Sequence, residues 1–170
     1  MYHNCYNKNR NCYDMRQIDL DNIISDIELI DEITKAAIGE AQAYNFYQRL
    51  SDLATNEQQR QAILEIQRDE VIHYRWFITF LRRLGVQELN IPAVELPTEL
   101  ETGLKILINH ELNAASFYEN VSYEATSRPV ALHFLHASHD EKRHASALQT
   151  MLTNLQSKNK SGLPNNLSDT

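Results

Sequence analysis

The chain has 170 residues, 42% of them hydrophobic, and a formal net charge of −7. This size suits one domain with a sizeable core, and the negative charge argues against nucleic acid or an anionic membrane surface as the main partner. No apolar run approaches the roughly 20 residues that cross a bilayer, and the polar first residues lack the apolar segment of a signal peptide. The sequence therefore predicts a cytoplasmic protein that binds neither nucleic acid nor membrane.

Residues 1–17 are polar, show no periodicity and are predicted to form a flexible N-terminal arm. The arm contains both cysteines of the chain, Cys5 and Cys12, whose spacing is not the C-x-x-C of a zinc or redox pair. We interpret them as ordinary thiols. The alternative is cross-linking to a partner or to another copy of the chain, which requires an oxidising setting.

Residues 18–156 are predicted to form one helical domain, because few glycines and prolines interrupt its hydrophobic periodicity. The first helix is expected from about Asp26 to Ala54. One of its faces follows alternating steps of three and four residues, which is typical of a single side of a helix. This stepped face consists of Ile30, Ile33, Ala37, Glu40, Tyr44 and Tyr47.

The ends of the next two helices carry recognisable signals. The second helix is expected from about Glu57 to Leu84, with Asn56 as its N-cap and Gly85 ending it. The third helix begins near Thr98, which has with Glu101 the pattern of a capping box.

The fourth helix is expected to start near Pro129, a favoured residue in a first turn, and to end before a flexible polar tail at residues 157–170. Each of the last three helices also has a stepped face. In every helix, apolar residues on this face flank either one glutamate or a glutamate followed by a histidine.

The connections predict how the helices are arranged. Helices one and two, like helices three and four, are joined by a few residues and should pack as antiparallel hairpins. The link from Gly85 to Pro97 has thirteen residues. At about 3.3 Å per residue it can return along a whole helix. We therefore predict an all-α four-helix bundle, in which two hairpins are related by a pseudo-twofold axis and a long crossover joins helices two and three.

A pattern of metal-binding residue types occurs twice, with an offset of 71 residues. Its members are Glu40, Glu70 and His73 in the first half, and Glu111, Glu141 and His144 in the second. All lie on the stepped faces and should point inward, where an unpaired carboxylate is very costly. Two divalent cations would neutralise four carboxylates, and two neutral imidazoles would complete the ligand set of a di-metal bundle. In this assignment Glu70 and Glu141 bridge the ions, while Glu40 and Glu111 each bind one ion.

Two further pairs repeat with the same offset. Asp69 and Asp140 each precede a ligand glutamate and stand four residues before a histidine. A carboxylate there can accept the free N–H of a metal-bound imidazole and raise its basicity. Tyr47 and Tyr118 lie two turns beyond the first glutamate of each half, and we interpret them as core residues with hydrogen-bonded hydroxyls. The alternative is that one of them bonds a ligand glutamate or quenches oxidising equivalents.

The remaining histidines and the tryptophan receive no ligand role. Trp76 is expected in the core or at an interface. Four histidines lie off the stepped faces and are expected to face solvent or to cap helix ends: His110, His133, His136 and His139.

These motifs resemble the ferritin-like di-iron superfamily, and within it the rubrerythrin-like branch. The segment Glu40-Ala-Gln-Ala-Tyr-Asn-Phe-Tyr and the two Asp-Glu-x-x-His motifs carry the resemblance, which covers about residues 26–156. It implies a ferritin-like bundle with two iron ions, or manganese or a mixed pair, that reacts with peroxide or dioxygen and is reduced by an external electron donor. The sequence departs from rubrerythrins in two ways. Ala114 replaces a further glutamate, and the paired C-x-x-C motifs of a rubredoxin domain are not present.

The leading hypothesis is therefore a di-metal carboxylate oxidoreductase that reduces peroxide or O₂ or oxidises Fe(II), as a rubrerythrin-like peroxidase or ferroxidase does under oxidative stress. One alternative is a manganese catalase-like enzyme. Another is a non-enzymatic metal-binding or structural bundle similar to some spore-coat proteins, which would place the protein in the spore coat. A third is a metal-free bundle whose glutamates are protonated or paired with histidine. A homodimer or small oligomer is expected, because the tail does not resemble the extra helix of a storage shell.

Overall fold

The computed structural model describes residues 28–161, and their backbone forms four helices. These are α1 (Ile30–Asp52), α2 (Glu57–Arg83), α3 (Leu100–Glu124) and α4 (Arg128–Ser161). Since no strand occurs among these residues, the predicted all-α class is confirmed. None of the helices in this part of the chain combines the length and the apolar character that a membrane span requires. The predicted arm at residues 1–17, with Cys5 and Cys12, lies outside the described residues.

The four helices pair as two hairpins. Helix α1 packs closely against α2, and α3 against α4, while contacts of α2 with α4 and of α1 with α3 join the two pairs. The turns within the hairpins, at residues 53–56 and 125–127, are as short as predicted. The four-helix bundle inferred from the connections is therefore confirmed.

The crossover between α2 and α3 runs along α1. The side-chain Nε2 of Gln42 donates a hydrogen bond to the carbonyl of Pro92 at 2.9 Å. Further along both segments, Nε of Arg49 donates to the carbonyl of Pro97 at 3.0 Å. Because later crossover residues meet later turns of α1, the crossover returns the chain to the end of the bundle where α2 begins. Helices α2 and α3 therefore run parallel.

Both predicted ends of α2 form as the sequence indicates. The side-chain oxygen of Asn56 accepts a hydrogen bond from the backbone N–H of Gln59 at 2.9 Å, which caps the start of the helix. At the other end, Gly85 has a φ of 94°. This left-handed conformation lets the N–H of Val86 donate to the carbonyl of Leu81 at 2.9 Å and closes the last turn.

The capping box predicted for α3, formed by Thr98 and Glu101, is wrong. The N-cap residue is Glu99, and no side chain caps this end of the helix. The carboxylate of Glu101 instead accepts hydrogen bonds from Lys105 at 2.7 Å and from Gln156 at 3.0 Å. These bonds hold the carboxylate to the side of α3, where it cannot reach back to the helix terminus.

Two other helices differ from the prediction in length. Helix α1 begins at Ile30 and ends at Asp52, a few residues inside its predicted limits. Helix α4 continues to Ser161, and so extends into the segment 157–170 that the sequence analysis assigns to the tail. Beyond the first turn, neither proline nor glycine occurs before Gly162, so no strong helix breaker stops α4 earlier. The division into an arm, a bundle domain and a tail otherwise stays a prediction.

The stepped faces build two apolar clusters, one toward each end of the bundle, with the repeated glutamates and histidines at the level between them. The first cluster contains Ile33, Phe77, Phe80, Tyr118, Val121 and Phe134. The second contains Leu50, Ile63, Leu104, Leu107 and Leu148. One residue of the predicted faces departs from this pattern, because Tyr44 is 42% exposed while Ala43 is buried. Steps of three and four only approximate a repeat of 3.6 residues, so the inner face shifts around α1 along its length.

Candidate metal centre

The six residues of the repeated pattern converge in the middle of the bundle. Helices α1 and α3 each contribute one glutamate, and α2 and α4 each contribute a glutamate and a histidine three residues later. Each of the six side chains is at most 2% exposed: Glu40, Glu70, His73, Glu111, Glu141 and His144. The helical periodicity directs each of them inward, and the bundle topology brings them to one level.

The donor atoms of these residues form two overlapping groups, and within each group they lie within 4.8 Å of one another. The first group consists of Glu40, Glu70, His73 and Glu141. The second consists of Glu70, Glu111, Glu141 and His144. Glu70 and Glu141 belong to both groups, and each group adds one glutamate and one histidine of its own. Each group therefore offers three carboxylates and one imidazole, a set that could hold one metal ion.

The Nδ1 atom of each histidine faces the carboxylates. Nδ1 of His73 lies 3.1 Å from Oε1 of Glu141 and 3.6 Å from Oε1 of Glu40. Nδ1 of His144 lies 2.8 Å from Oε2 of Glu141 and 3.1 Å from Oε1 of Glu70. Nδ1 is therefore the ring nitrogen that either group would present to a metal ion.

The four carboxyl groups differ in their tendency to ionise. Burial and the charges of Glu70 and Glu141 raise the pKa of Glu40 well above its usual value. Burial and the charge of Glu70 raise the pKa of Glu141 to about 7. Burial also acts to raise the pKa of Glu70 and of Glu111, but hydrogen bonds from the histidines outweigh it and lower both. The metal-free site therefore keeps protons on some of its carboxyl groups near neutral pH.

Both histidine rings are also positively charged in the metal-free protein, with a proton on each ring nitrogen. Burial would lower the pKa of His73, but the charge of Glu141 and the hydrogen bond with Asp140 raise it well above its usual value. Burial would likewise lower the pKa of His144, but hydrogen bonds with Asp69 and with the glutamates raise it. Protons thus balance the buried charge without metal, and any metal ion must compete with them.

Hydrogen bonds among the described residues leave part of the site unsatisfied. Three buried atoms take part in charged contacts of 3.1 Å, between His73 and Glu141 and between His144 and Glu70, but make no well-aligned hydrogen bond: Oε1 of Glu70, Nδ1 of His73 and Oε1 of Glu141. All three atoms belong to residues of the first group, and two of these residues are shared with the second. Carboxylate and imidazole donors without thiolates suit iron or manganese, so the residues fit such a metal pair.

Two aspartates contact the outward nitrogens of the histidines, and each contact crosses between the hairpins. Nε2 of His73 on α2 lies 3.4 Å from Oδ2 of Asp140 on α4. Nε2 of His144 on α4 lies 3.3 Å from Oδ2 of Asp69 on α2. Burial acts to raise the pKa of both aspartates, but hydrogen bonds from histidines and an arginine lower it, so both are ionised. The spacing in the sequence does not reveal that each aspartate contacts the histidine of the other half.

Arg143 joins the two aspartates at the edge of the site. Its Nη2 donates hydrogen bonds to Oδ2 of Asp69 at 2.6 Å and to Oδ1 of Asp140 at 2.8 Å. The corresponding residue 71 positions earlier is Ile72, so only the second half supplies this cation. Arg143 is not among the predicted site residues, because it lies off the stepped face. The one available signal was its place beside His144 without a basic counterpart in the first half.

The two repeated tyrosines each bond a glutamate of the other hairpin. The hydroxyl of Tyr47 on α1 donates to Oε1 of Glu111 on α3 at 2.9 Å. The hydroxyl of Tyr118 on α3 donates to Oε1 of Glu40 on α1 at 2.6 Å. Burial and the nearby carboxylates raise the pKa of both tyrosines, which keeps each hydroxyl protonated as a donor. Each tyrosine therefore combines the two roles considered from sequence, since it is buried in the core and also bonds a glutamate.

Trp76 extends the aromatic packing from His73 toward the surface. The two ring centroids are 5.3 Å apart, and Trp76 itself is partly exposed. Edge-to-face contacts with His133 and His136, at 4.9 and 5.5 Å, hold the indole from the side of α4. From sequence, His133 is expected to face solvent or to cap a helix end. It is instead buried within α4, and its Nδ1 lies 2.7 Å from the carbonyl of Pro129.

Comparisons with known proteins agree with this architecture. The family model described as Rubrerythrin matches residues 31–110. The uncharacterized protein YhjR of Bacillus subtilis (strain 168) is 31% identical over 118 residues, which cover 69% of this chain and 81% of YhjR. A solved structure of a hypothetical protein from Pyrococcus furiosus superposes with a TM-score of 0.65 at 15% identity, covering 84% of this chain and 94% of that chain. At that identity the structural match supports the fold alone.

Proposed function

The chain belongs to the rubrerythrin family, within the ferritin-like superfamily, and from this premise we propose that it is a di-metal oxidoreductase. In this proposal it binds two iron ions and reduces peroxide or O₂, or oxidises Fe(II). The observation that carries the proposal is the pair of overlapping donor groups, which share Glu70 and Glu141 in a fully buried site. Manganese, alone or mixed with iron, is compatible with the same donors.

The geometry supports a division of roles among the proposed ligands. Glu70 and Glu141 would bridge the two ions, because both belong to both groups. Glu40 and His73 would hold one ion, and Glu111 and His144 the other. When bound, the iron pair supplies two electrons, which with two protons reduce hydrogen peroxide to two molecules of water.

The surrounding residues orient the ligands and restrict access. Tyr47 and Tyr118 fix the carboxylates that they bond, and Asp69 and Asp140 fix the imidazoles, so the donors are held in place before metal binds. Apolar clusters on both sides exclude bulk water. With the small side chain of Ala114 where rubrerythrins carry another glutamate, the chain offers a set of six protein ligands. A centre enclosed in this way suits a small oxidant better than a bulky substrate.

Oxidation of bound Fe(II) tests the proposal. Protein loaded anaerobically with two Fe(II) per chain is expected to oxidise both on mixing with one equivalent of hydrogen peroxide, as followed by stopped-flow absorbance and by the Fe(II) that remains. Glu70→Gln removes a donor from both groups and should slow this reaction more than about 100-fold. Glu65→Gln, the same change at an exposed position of α2, should leave the rate unaltered.

Two results would count against the proposal. One is wild-type protein that binds two Fe(II) but oxidises them no faster than iron in buffer does. The other is protein that retains manganese and evolves O₂ from peroxide, which would indicate the catalase-like alternative.

Metal binding is also expected to release protons. In the metal-free site His73, His144, Glu40 and Glu141 have raised pKa values, so near pH 6 loading should release up to four protons. The affinity should therefore increase as the pH rises, because fewer protons then have to be displaced. A titration with Mn(II) in weakly buffered solution with an indicator dye measures the release. Release of no protons at pH 6 would contradict ligation by these residues.

A further inference from the structure

The only tryptophan of the chain is in ring contact with a proposed metal ligand. Trp76 and His73 have ring centroids 5.3 Å apart, with the rings tilted by 40°. His73 is buried and Trp76 is partly exposed, so these two adjacent rings lead from the interior to the surface of α2. His133 and His136 contact the same indole from α4, so the indole is held between these two rings and His73 of its own helix.

This contact exists at only one of the two proposed metal positions. The residue that corresponds to Trp76 in the second half is Ala147, 71 positions later. No aromatic ring can extend from His144 at that place. Among the described residues, the first donor group is therefore in direct ring contact with Trp76, whereas His144 of the second group reaches it only through His73, at a centroid distance of 6.2 Å.

A row of three exposed arginines follows the side of α2 next to the line that contains Trp76, although the whole chain has a net charge of −7. Arg68, Arg75 and Arg82 are exposed on α2 at intervals of seven residues, which places them along one line of the helix. Each of them stands one residue before a member of the line Asp69, Trp76 and Arg83. Successive residues of a helix lie about 100° apart, so the arginine line borders the face of α2 that carries the indole, and its charge favours an anionic partner on that side of the helix.

We propose that Trp76 forms a relay path, in which single electrons tunnel through the indole without reducing or oxidising it, from an anionic one-electron donor bound on the arginine line to the metal position held by His73. This inference rests on the proposed function, which requires an external donor to reduce the centre after each reaction. In each transfer the donor is oxidised by one electron and the metal position at His73 is reduced by one, and no bond is formed or broken. Two transfers restore the two electrons consumed per peroxide.

The fluorescence of Trp76 gives a direct test, because no other tryptophan contributes to the emission. In metal-free protein, the ratio of quenching by iodide to quenching by caesium is expected to exceed the ratio for free N-acetyltryptophanamide, since the arginine line attracts anions. Fe(II) should quench the emission on binding, while redox-inert Zn(II) should not. An iodide-to-caesium ratio below that of the free compound, or no quenching by bound Fe(II), would overturn the proposal.

Reduction kinetics test the relay itself. Oxidised, iron-loaded protein is mixed with photoreduced flavin mononucleotide, an anionic one-electron donor, or with the methyl viologen radical, a cationic one. Trp76→Phe should slow reduction by the flavin roughly tenfold or more, whereas Trp76→Tyr should retain part of the rate. Tyr74→Phe, which changes another aromatic residue of α2, should leave the rate unchanged. Arg75→Gln should slow the reaction with the flavin but not with the viologen.

The oxidation step separates this inference from the proposed function. If Trp76→Phe still oxidises loaded Fe(II) with peroxide at the wild-type rate, its metal centre is intact, and a slower reduction by flavin then supports the relay. Equal reduction rates in wild type and Trp76→Phe would overturn the relay while leaving the proposed function in place. Failure of wild type to oxidise loaded Fe(II) would overturn both.

Discussion

Removal of bound metal is expected to lower the melting temperature of this protein by roughly 20 °C or more. A site that binds only the folded chain stabilises it by about 4 kcal/mol when free metal exceeds the dissociation constant 1,000-fold, so two sites give about twice that. Each kcal/mol shifts the melting temperature of a domain of this size by about 3 °C. Thermal unfolding followed by circular dichroism, before and after chelation and again after metal is restored, measures the change.

Matched variants show whether this stabilisation arises at the proposed centre. Glu70→Gln, which alters a donor common to both groups, should lose most of the difference in melting temperature between protein with and without chelator. Glu65→Gln on the exposed side of α2 should retain the full shift. If elemental analysis shows two ions per chain and chelation leaves the wild-type melting temperature unchanged, metal is bound somewhere other than this interior.

Glu141→Gln is expected to stabilise the metal-free protein above neutral pH and to destabilise the metal-loaded protein. Burial and the charge of Glu70 raise the pKa of Glu141 from 4.5 to about 7. As the pH rises between these values, the unfolded chain loses this proton and the folded chain keeps it, so stability falls. The total loss is roughly 3 kcal/mol, and glutamine, which does not ionise, avoids it. The metal-free variant should therefore match wild type near pH 4.5 and exceed it by up to that amount at pH 8.

Urea unfolding at both pH values, with and without metal, checks this reversal. With metal present, wild type should be the more stable protein, because the variant lacks a donor that both groups share. Glu65→Gln should show neither effect. A variant that is less stable than wild type at pH 8 without metal would mean that the Glu141 carboxylate stabilises the metal-free fold. The burial cost of this carboxylate would then no longer support its assignment as a metal ligand.

Much of the fold and of the candidate site could be predicted from the sequence, because both depend on helical periodicity and connection length. The offset of 71 residues marks two equivalent hairpins, and steps of three and four place six metal-binding side chains on inner faces. The length of the crossover then fixes the parallel arrangement of α2 and α3. These features follow from geometry within each helix and need no knowledge of how particular side chains meet.

Contacts between hairpins could not be predicted in the same way. The pairing of Asp69 with His144, and of Tyr47 with Glu111, depends on how far one hairpin is shifted along the other. Periodicity within a helix does not contain that information. Arg143 was missed for a related reason, since a basic residue off the inner face has the pattern of an ordinary surface charge.

Competition between alternative hydrogen bonds limited the predictions at helix ends. Glu101 has the sequence pattern of a capping box, yet Lys105 and Gln156 occupy its carboxylate. The choice between local and distant partners is made by the packing of α3 against α4. Similarly, Tyr44 is exposed because the inner face shifts gradually around α1 from one end of the helix to the other. A pattern of whole-number steps does not include this shift.

The contacts that cross between the two hairpins suggest how such a chain can arise in evolution. Tyr47, Tyr118, Asp69 and Asp140 each contact a glutamate or a histidine supplied by the opposite hairpin. A shorter chain made of one hairpin could complete the same interior only by associating with a second copy of itself. Fusion of two copies makes that association intramolecular and frees each half to diverge. Arg143 and Trp76 each occur in one half alone. Only a fused chain can have such residues, because two identical copies would carry them in both halves.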